Sequence, residues 1–276
     1  MEPSMTPPLP DGLFRFDGSL YHPSPFTRGP WRPDAQHGGP PAALLAHLCQ
    51  PEIGDDEFLA HLDIELLRPV PLTPLSASVA RRRVSGRVSR IEAQLHSEAG
   101  DNVAQCSALI LQHSELTEPD WRGEVEPATS PPGEETRADP PRWASGDVTS
   151  YHRNAVEHRF TEGDFRHAGP AVDWMRLRMP LIVGKETTGL ERIAAAADFG
   201  SGISAVYGPE AEMGLINANL AIAMVRPHVG EWVSLDAITH VGPQGTGLGV
   251  TELGDTNGLV GIATQSLLGY SLKRRS

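Results

Sequence analysis

The chain has 276 residues, 39% of them hydrophobic, with 28 Gly, 25 Pro and a formal net charge of −12. That length fits one large domain or two of about 100–150 residues, either able to fold without staples. The acidic balance excludes sequence-independent nucleic-acid binding, which needs a basic footprint. No run of 18 apolar residues occurs, so no membrane-spanning helix is expected.

Residues 1–12 read as a disordered, Pro-rich tail. It has neither the basic nor the apolar region of a signal peptide, so a cytoplasmic location is expected. Leu13–Phe16 and Ser19–His22 flank Asp17-Gly18 and predict a hairpin. A loop from Trp31 ends in Gly38-Gly39-Pro40-Pro41, and Ala42 to Cys49 follows as a helix apolar on nearly every side. Proline is tolerated in a first helical turn, and an all-apolar helix must be buried. Strands are predicted at about 58–68, 74–84, 87–97 and 102–113. Cys49 and Cys106 read as two buried thiols, since two cysteines make no disulfide framework.

Residues 116–149 are acidic and rich in Pro and Gly, the composition of a linker. Beyond Tyr151, strands are predicted at Val156–Phe160 and Asp173–Met179. A second buried helix runs from Gly189 to about Asp198, and strands follow at about 214–225, 231–240, 246–253 and 258–269.

One phrase occurs twice in the same surroundings. Leu62-Asp63-Ile64-Glu65-Leu66-Leu67-Arg68-Pro69 matches Leu220-Ala221-Ile222-Ala223-Met224-Val225-Arg226-Pro227. Each copy follows an Ala-rich helix and precedes strand-like runs, which indicates a duplicated unit. The predicted fold is α+β, two tandem units at 11–115 and 150–276. In each, a curved antiparallel sheet wraps one buried helix.

Gln36-His37-Gly38-Gly39-Pro40-Pro41-Ala42-Ala43-Leu44-Leu45-Ala46 resembles the His-Gly-Gly-led central helix of the double-hotdog acyl-CoA thioesterases. The likeness is to relatives of bacterial acyl-CoA thioesterase II, and within them to their actinobacterial thioesterase-like branch. Leu66 to Pro71, Ile216 to Pro227 with Gly230-Glu231-Trp232, and Gly247 to Asp255 with Gln265 to Leu268 match further family strands. The resemblance covers roughly residues 11–115 and 150–272. It implies an acyl-CoA or acyl-carrier thioester as partner, no cofactor, and hydrolysis by water without a covalent intermediate. It also implies a water held by a carboxylate, a hydroxyl and a Gln of the second copy. The last two fall at Thr239 and Gln265. The carboxylate position falls at Asn219, which can orient water but not take its proton at neutral pH.

Asp198, after four alanines at the end of the second helix, is the best substitute base. His37, Gly38 and Gly39 at the entry of the first helix are candidates for holding the carbonyl oxygen, because free N–H groups and the positive helix end gather there. Superposing the two Arg-Pro phrases sets His61 opposite Asn219 and Leu109 opposite Gln265, so one site is expected, not two. No metal-ligand spacing and no Gly-x-Ser-x-Gly elbow occurs. Two other functions compete: an acyl-thioester binding protein without turnover, suggested by Asn219, and an enoyl-CoA hydratase, which needs an Asp beside His37. The tandem units form an internal pseudo-dimer, and pairing of whole chains into a homo-oligomer stays open.

Overall fold

The computed structural model describes residues 11–117, 130–139, 148–208 and 211–271. Most of the expected tail and of the acidic linker lies outside these residues. The hairpin forms as β1 (Phe14–Phe16) and β2 (Tyr21–Pro23). The Asp17 carboxylate accepts from the Ser19 and Leu20 amides in its turn.

Helix α1 (Gly39–Cys49) carries Pro40 and Pro41 in its first turn, where a missing N–H breaks no helical bond. Ala42 to Ala46 are buried, as expected of a helix without a polar face. The first unit continues with β3 (Glu57–Glu65), β4 (Ser76–Arg83), β5 (Val88–His96) and β6 (Asn102–Gln112). The second unit opens with a single wide turn at Tyr151–Ala155, then β7 (Val156–Glu162) and β8 (Ala171–Leu177). Helix α2 (Gly189–Ala197) begins in a reciprocal capping box between Thr188 and Glu191. A short α3 (Gly200–Ile203) follows, then β9 (Met213–Asn217), β10 (Asn219–Met224), β11 (Val233–Val241), β12 (Thr246–Asp255) and β13 (Gly258–Ser271).

The strands from β3 onward form one sheet in the order β4-β5-β6-β3-β10-β13-β12-β11-β8-β7, with β9 alongside β13. The two units therefore join through β3 and β10, the strands that carry the repeated phrase. Arg68 and Arg226 are 158 positions apart, and so are Asp63 and Ala221. Asp63 and Ala221 face each other in the β3–β10 ladder. The duplication read from the sequence thus places its pseudo-two-fold axis through that pair.

Two sequence expectations are corrected by register. The strand expected at 214–225 is two strands. Asn217 pairs with Leu267, whereas Ala221 pairs with Thr264, a slip of one residue about Ala218. In β10 the buried residues are Leu220 and Ile222, so Asn219 faces outward, while Asn217 shares the inner face with buried Leu267. The same ladders pair Asp63 with Ser107 and Ala221 with Thr264. The residue equivalent to Gln265 is therefore Ala108, not Leu109, and the first copy still has no amide there.

On the inner face α1 and α2 pack antiparallel. At one end His47 Nδ1 lies 2.6 Å from Glu191 Oε1, and Gln50 Nε2 donates to Thr188 Oγ1 at 2.8 Å. At the other end the start of α1 meets the end of α2. Cys49 and Cys106 are free and buried, with their sulfurs 3.6 Å apart.

Candidate active site

The junction of the α1 N-terminus with the α2 C-terminus opens on a cleft of about 1260 Å³. Its walls come from both units: Trp31, His37, Gly38 and Leu66 from the first, Asp198, Phe199, Ser201 and Asn217 from the second.

Asp198 closes α2. A carboxylate at the C-terminus of its own helix is disfavoured by that helix's dipole. Here it projects against the N-terminus of α1, whose dipole favours it. Its Oδ2 lies 2.9 Å from His37 Nδ1, and its Oδ1 accepts from Asn217 Nδ2 at 2.8 Å. Gly39 N–H is 3.1 Å from His37 Nδ1 and also serves the carboxylate. Nδ1 cannot donate to Asp198 and accept from Gly39 together. With the imidazole proton on the Asp198 side, the Gly39 amide turns to the carboxylate. Burial raises the Asp198 carboxyl, but the charge and hydrogen bond of His37, with Asn217 and Gly39, outweigh it. The group stays below its ordinary value.

Glycine at 38 is a steric requirement: a Cβ there would stand 2.6 Å from Asp198 Oδ2. At Gly39 it would stand 2.7 Å from Ala195 O, so both glycines let α1 approach α2 closely. Pro40 and Pro41 have no N–H, so Gly38 and Gly39 hold the amide donors of this helix start. The set expected from the sequence is therefore smaller than at an ordinary N-terminus.

Gln265 and Thr239 lie one layer behind the cleft. Gln265 is 1% exposed; its Oε1 accepts from Ser201 N at 2.8 Å and its Nε2 donates to Asp198 O at 3.1 Å. It fixes the corner between α2 and α3 and so aims Asp198. Ser204 Oγ donates to Gly200 O, which leaves Thr239 Oγ1 to donate to Ser204 Oγ at 2.8 Å. Thr239 pairs with Gly249, and Gly249 with Gln265, so the three form one inward row under α3.

Asn219 is not with them. Its Oδ1 accepts from Ser266 N on the outer face, where it completes the bulge. His61 faces the same way, opposite Ala223. Asn217, which does reach the carboxylate, was missed because nothing in the sequence marks the bulge that reverses the strand's faces. Among the described residues no cluster of side chains suits a metal ion.

Two family descriptions match the chain: the acyl-CoA thioesterase N-terminal domain over residues 27–111, and the acyl-CoA thioesterase C-terminal domain over residues 123–268. The chain belongs to the double-hotdog acyl-CoA thioesterase family. Its fold is similar to that of a hot-dog-fold protein of unknown function from Alicyclobacillus acidocaldarius. The TM-score is 0.70 at 14% identity, over 95% of this chain and 97% of that one. It is also similar to the acyl-CoA thioesterase II TesB2 of Mycobacterium marinum. There the TM-score is 0.61 at 14% identity, over 95% and 96% of the two chains. No curated protein matches the sequence.

Proposed function

We propose that the chain hydrolyses an acyl thioester, acyl-CoA or its acyl-carrier equivalent, by direct attack of water in the cleft between its units. The observation that carries this reading is the buried Asp198 carboxylate at the cleft wall, held by His37 from the other unit and by Asn217. Water beside Asp198 attacks the thioester carbonyl carbon and gives its proton to the carboxylate. The C–S bond breaks, and the departing thiolate takes that proton, leaving a carboxylic acid and a thiol. A substrate filling the cleft removes solvent and so raises the proton affinity of a carboxylate that is depressed in the free protein. Gly38 N–H stands at the positive end of α1 and supports the developing oxyanion. Gln265 and Thr239 act by holding the α2–α3 corner.

The reading as a binding protein without turnover rested on Asn219 in place of a base. Asp198 lines the cleft and Asn219 does not, which supports a reading with a carboxylate base over one without turnover. Hydration of an enoyl thioester keeps one specific support, because the Asp partner it requires beside His37 is Asp198 at 2.9 Å. Family membership favours hydrolysis. An acyl-CoA panel followed for free thiol, with an enoyl-CoA followed for loss of conjugation, decides between them. Thiol release abolished by Asp198→Asn supports hydrolysis; loss of conjugation without thiol release overturns it.

A further inference from the structure

Behind the Asp198–His37 pair lies a second buried carboxylate–imidazole pair. His158 Nδ1 of β7 is 2.5 Å from Asp173 Oδ2 of β8, and the two side chains are 4% and 0% exposed. The pairs are linked by rings. Phe199, the residue after Asp198, has its ring centroid 4.8 Å from that of His37 and 4.7 Å from those of His152 and His158. His152 stands between the other two imidazoles, 4.9 Å from His37 and 6.1 Å from His158. Only His152 and His37 of the three line the cleft.

Asp173 Oδ1 and His158 Nε2 are buried with no hydrogen-bond partner among the described residues. A carboxylate beside an imidazole favours a proton on that ring. A proton on His158 or on His37 disfavours one on His152, which lies within 6.1 Å of both rings. Burial first, and then His37 and His158, do hold the His152 imidazolium well below its ordinary range.

The other titratable groups around His158 leave this balance intact. Tyr151 is raised by burial and by Asp198, and stays neutral. Glu157 and Arg159, its strand neighbours, lie on the opposite face, where Glu157 is joined to Arg159 and Arg176. Arg137, Asp164 and Arg166 line the cleft, Asp164 half-buried and the two arginines exposed to solvent.

We propose that Asp173 and His158 are positioning residues. Acting through His152, they keep a neutral imidazole beside His37 and thereby set the acid edge of the pH range in which the Asp198–His37 pair works. The claim about pH range rests on the thioesterase reading; the claim about charge does not.

The test is imidazole titration by nitrogen NMR in the full chain. In the unmodified protein His152 should stay neutral at about pH 6.5, where a free imidazole is half protonated. Asp173→Asn removes the carboxylate that favours a proton on His158, and His158→Gln removes the ring that can carry it. Both should raise the His152 midpoint by at least about half a pH unit, because like charge nearby disfavours protonation. The acid limb of kcat/KM for thiol release should move the same way. His152 titrating at or above about pH 6.5, the value of a free imidazole, in the unmodified protein overturns the proposal, whether or not the variants fold. So does an unmoved or lowered His152 midpoint in a folded variant. Absence of thiol release from every acyl-CoA would overturn the thioesterase reading while leaving the titration result standing.

Discussion

Gln50 and Asp198 occupy the same place in the two units: each closes its helix and reaches the start of the opposing one. Gln50 donates to Thr188, the cap of α2, and the start of α2 is further filled by the Glu191 carboxylate. Asp198 reaches Gly38 and Gly39, which have no side chains. One junction is closed by an amide and a capping box, and the other is left open around a carboxylate. The asymmetry between the two junctions supports the proposal of one site, at the open junction.

Asp198→Asn should therefore abolish turnover and leave the fold intact. Loss of a positioned base costs roughly two to four decades in rate, read as kcat/KM for thiol release beside an unchanged circular dichroism spectrum. The Asp198 carboxyl is held below the ordinary carboxylate range by His37, Asn217 and Gly39 against the effect of burial, so it is ionised at neutral and mildly acidic pH. Activity lost between pH 5 and 7 would accordingly follow the imidazoles and not Asp198.

Gly38→Ala puts a methyl group 2.6 Å from Asp198 Oδ2. The carboxylate must turn away from His37 or α1 must retreat, and either breaks the pair. The expected outcome is at least about a tenfold fall in kcat, equal to about 1.4 kcal/mol of barrier. A variant with native kcat would show that the close approach is dispensable.

Gln265→Ala strands Ser201 N and Asp198 O inside the protein. Each unsatisfied buried group costs about 1–3 kcal/mol, so both melting temperature and kcat should fall. Asn219→Asp, by contrast, alters a bulge on the outer face and should leave kcat within about twofold, since surface changes are mostly near-neutral. A large gain in hydrolysis from Asn219→Asp would return that residue to the site.

What could be read from the chain follows from what each signal depends on. The buried helices and the Arg-Pro duplication are local patterns, and they marked the two helices and the two strands that pair at the middle of the sheet. Gln265 stood out because an amide in an apolar strand needs partners. Asn217 did not, because a one-residue slip between β9 and β10 in their pairing with β13 decides which Asn faces inward. Period-two reading has no warning of a bulge. The pairing of His37 with Asp198 is equally invisible in sequence: it joins residues 161 positions apart through the antiparallel packing of two helices.

Cys49 and Cys106 are buried at 0% and 4% exposure. The hydrogen bond with Cys106, and burial, push the Cys49 thiol far above its ordinary range, where little reactive thiolate forms. The folded protein should give essentially no colour with dithiobis(nitrobenzoate), and two equivalents after denaturation. Rapid reaction of either thiol in the native state would contradict the packing of α1 on β6.

The Arg of the second repeated phrase has a different task from its counterpart. Arg226 makes two 2.7 Å hydrogen bonds to the Asp255 carboxylate, whereas Arg68 is 3.9 Å from exposed Asp101. Asp255 is fully buried and also accepts from Val229 N and Asn257 N. Burial raises its carboxyl, but Arg226 and the two amides outweigh it and hold the group below 3.8. A carboxyl depressed by folding stabilises above its unfolded value, and that stability is lost as pH falls through the folded one. Asp255→Asn should lower the melting temperature at neutral pH, since breaking a buried pair costs on the order of 3–5 kcal/mol. Arg226 is partly exposed, which places the loss at the lower end. Below pH 4 the difference between the two proteins should shrink as the native carboxyl takes up its proton. Arg68→Ala should cost no more than about 1 kcal/mol, the range of exposed pairs. Melting curves of the three proteins from pH 3 to 7 measure both contrasts, and equal losses for Arg68→Ala and Asp255→Asn would mean the Arg226–Asp255 pair does not anchor the second copy.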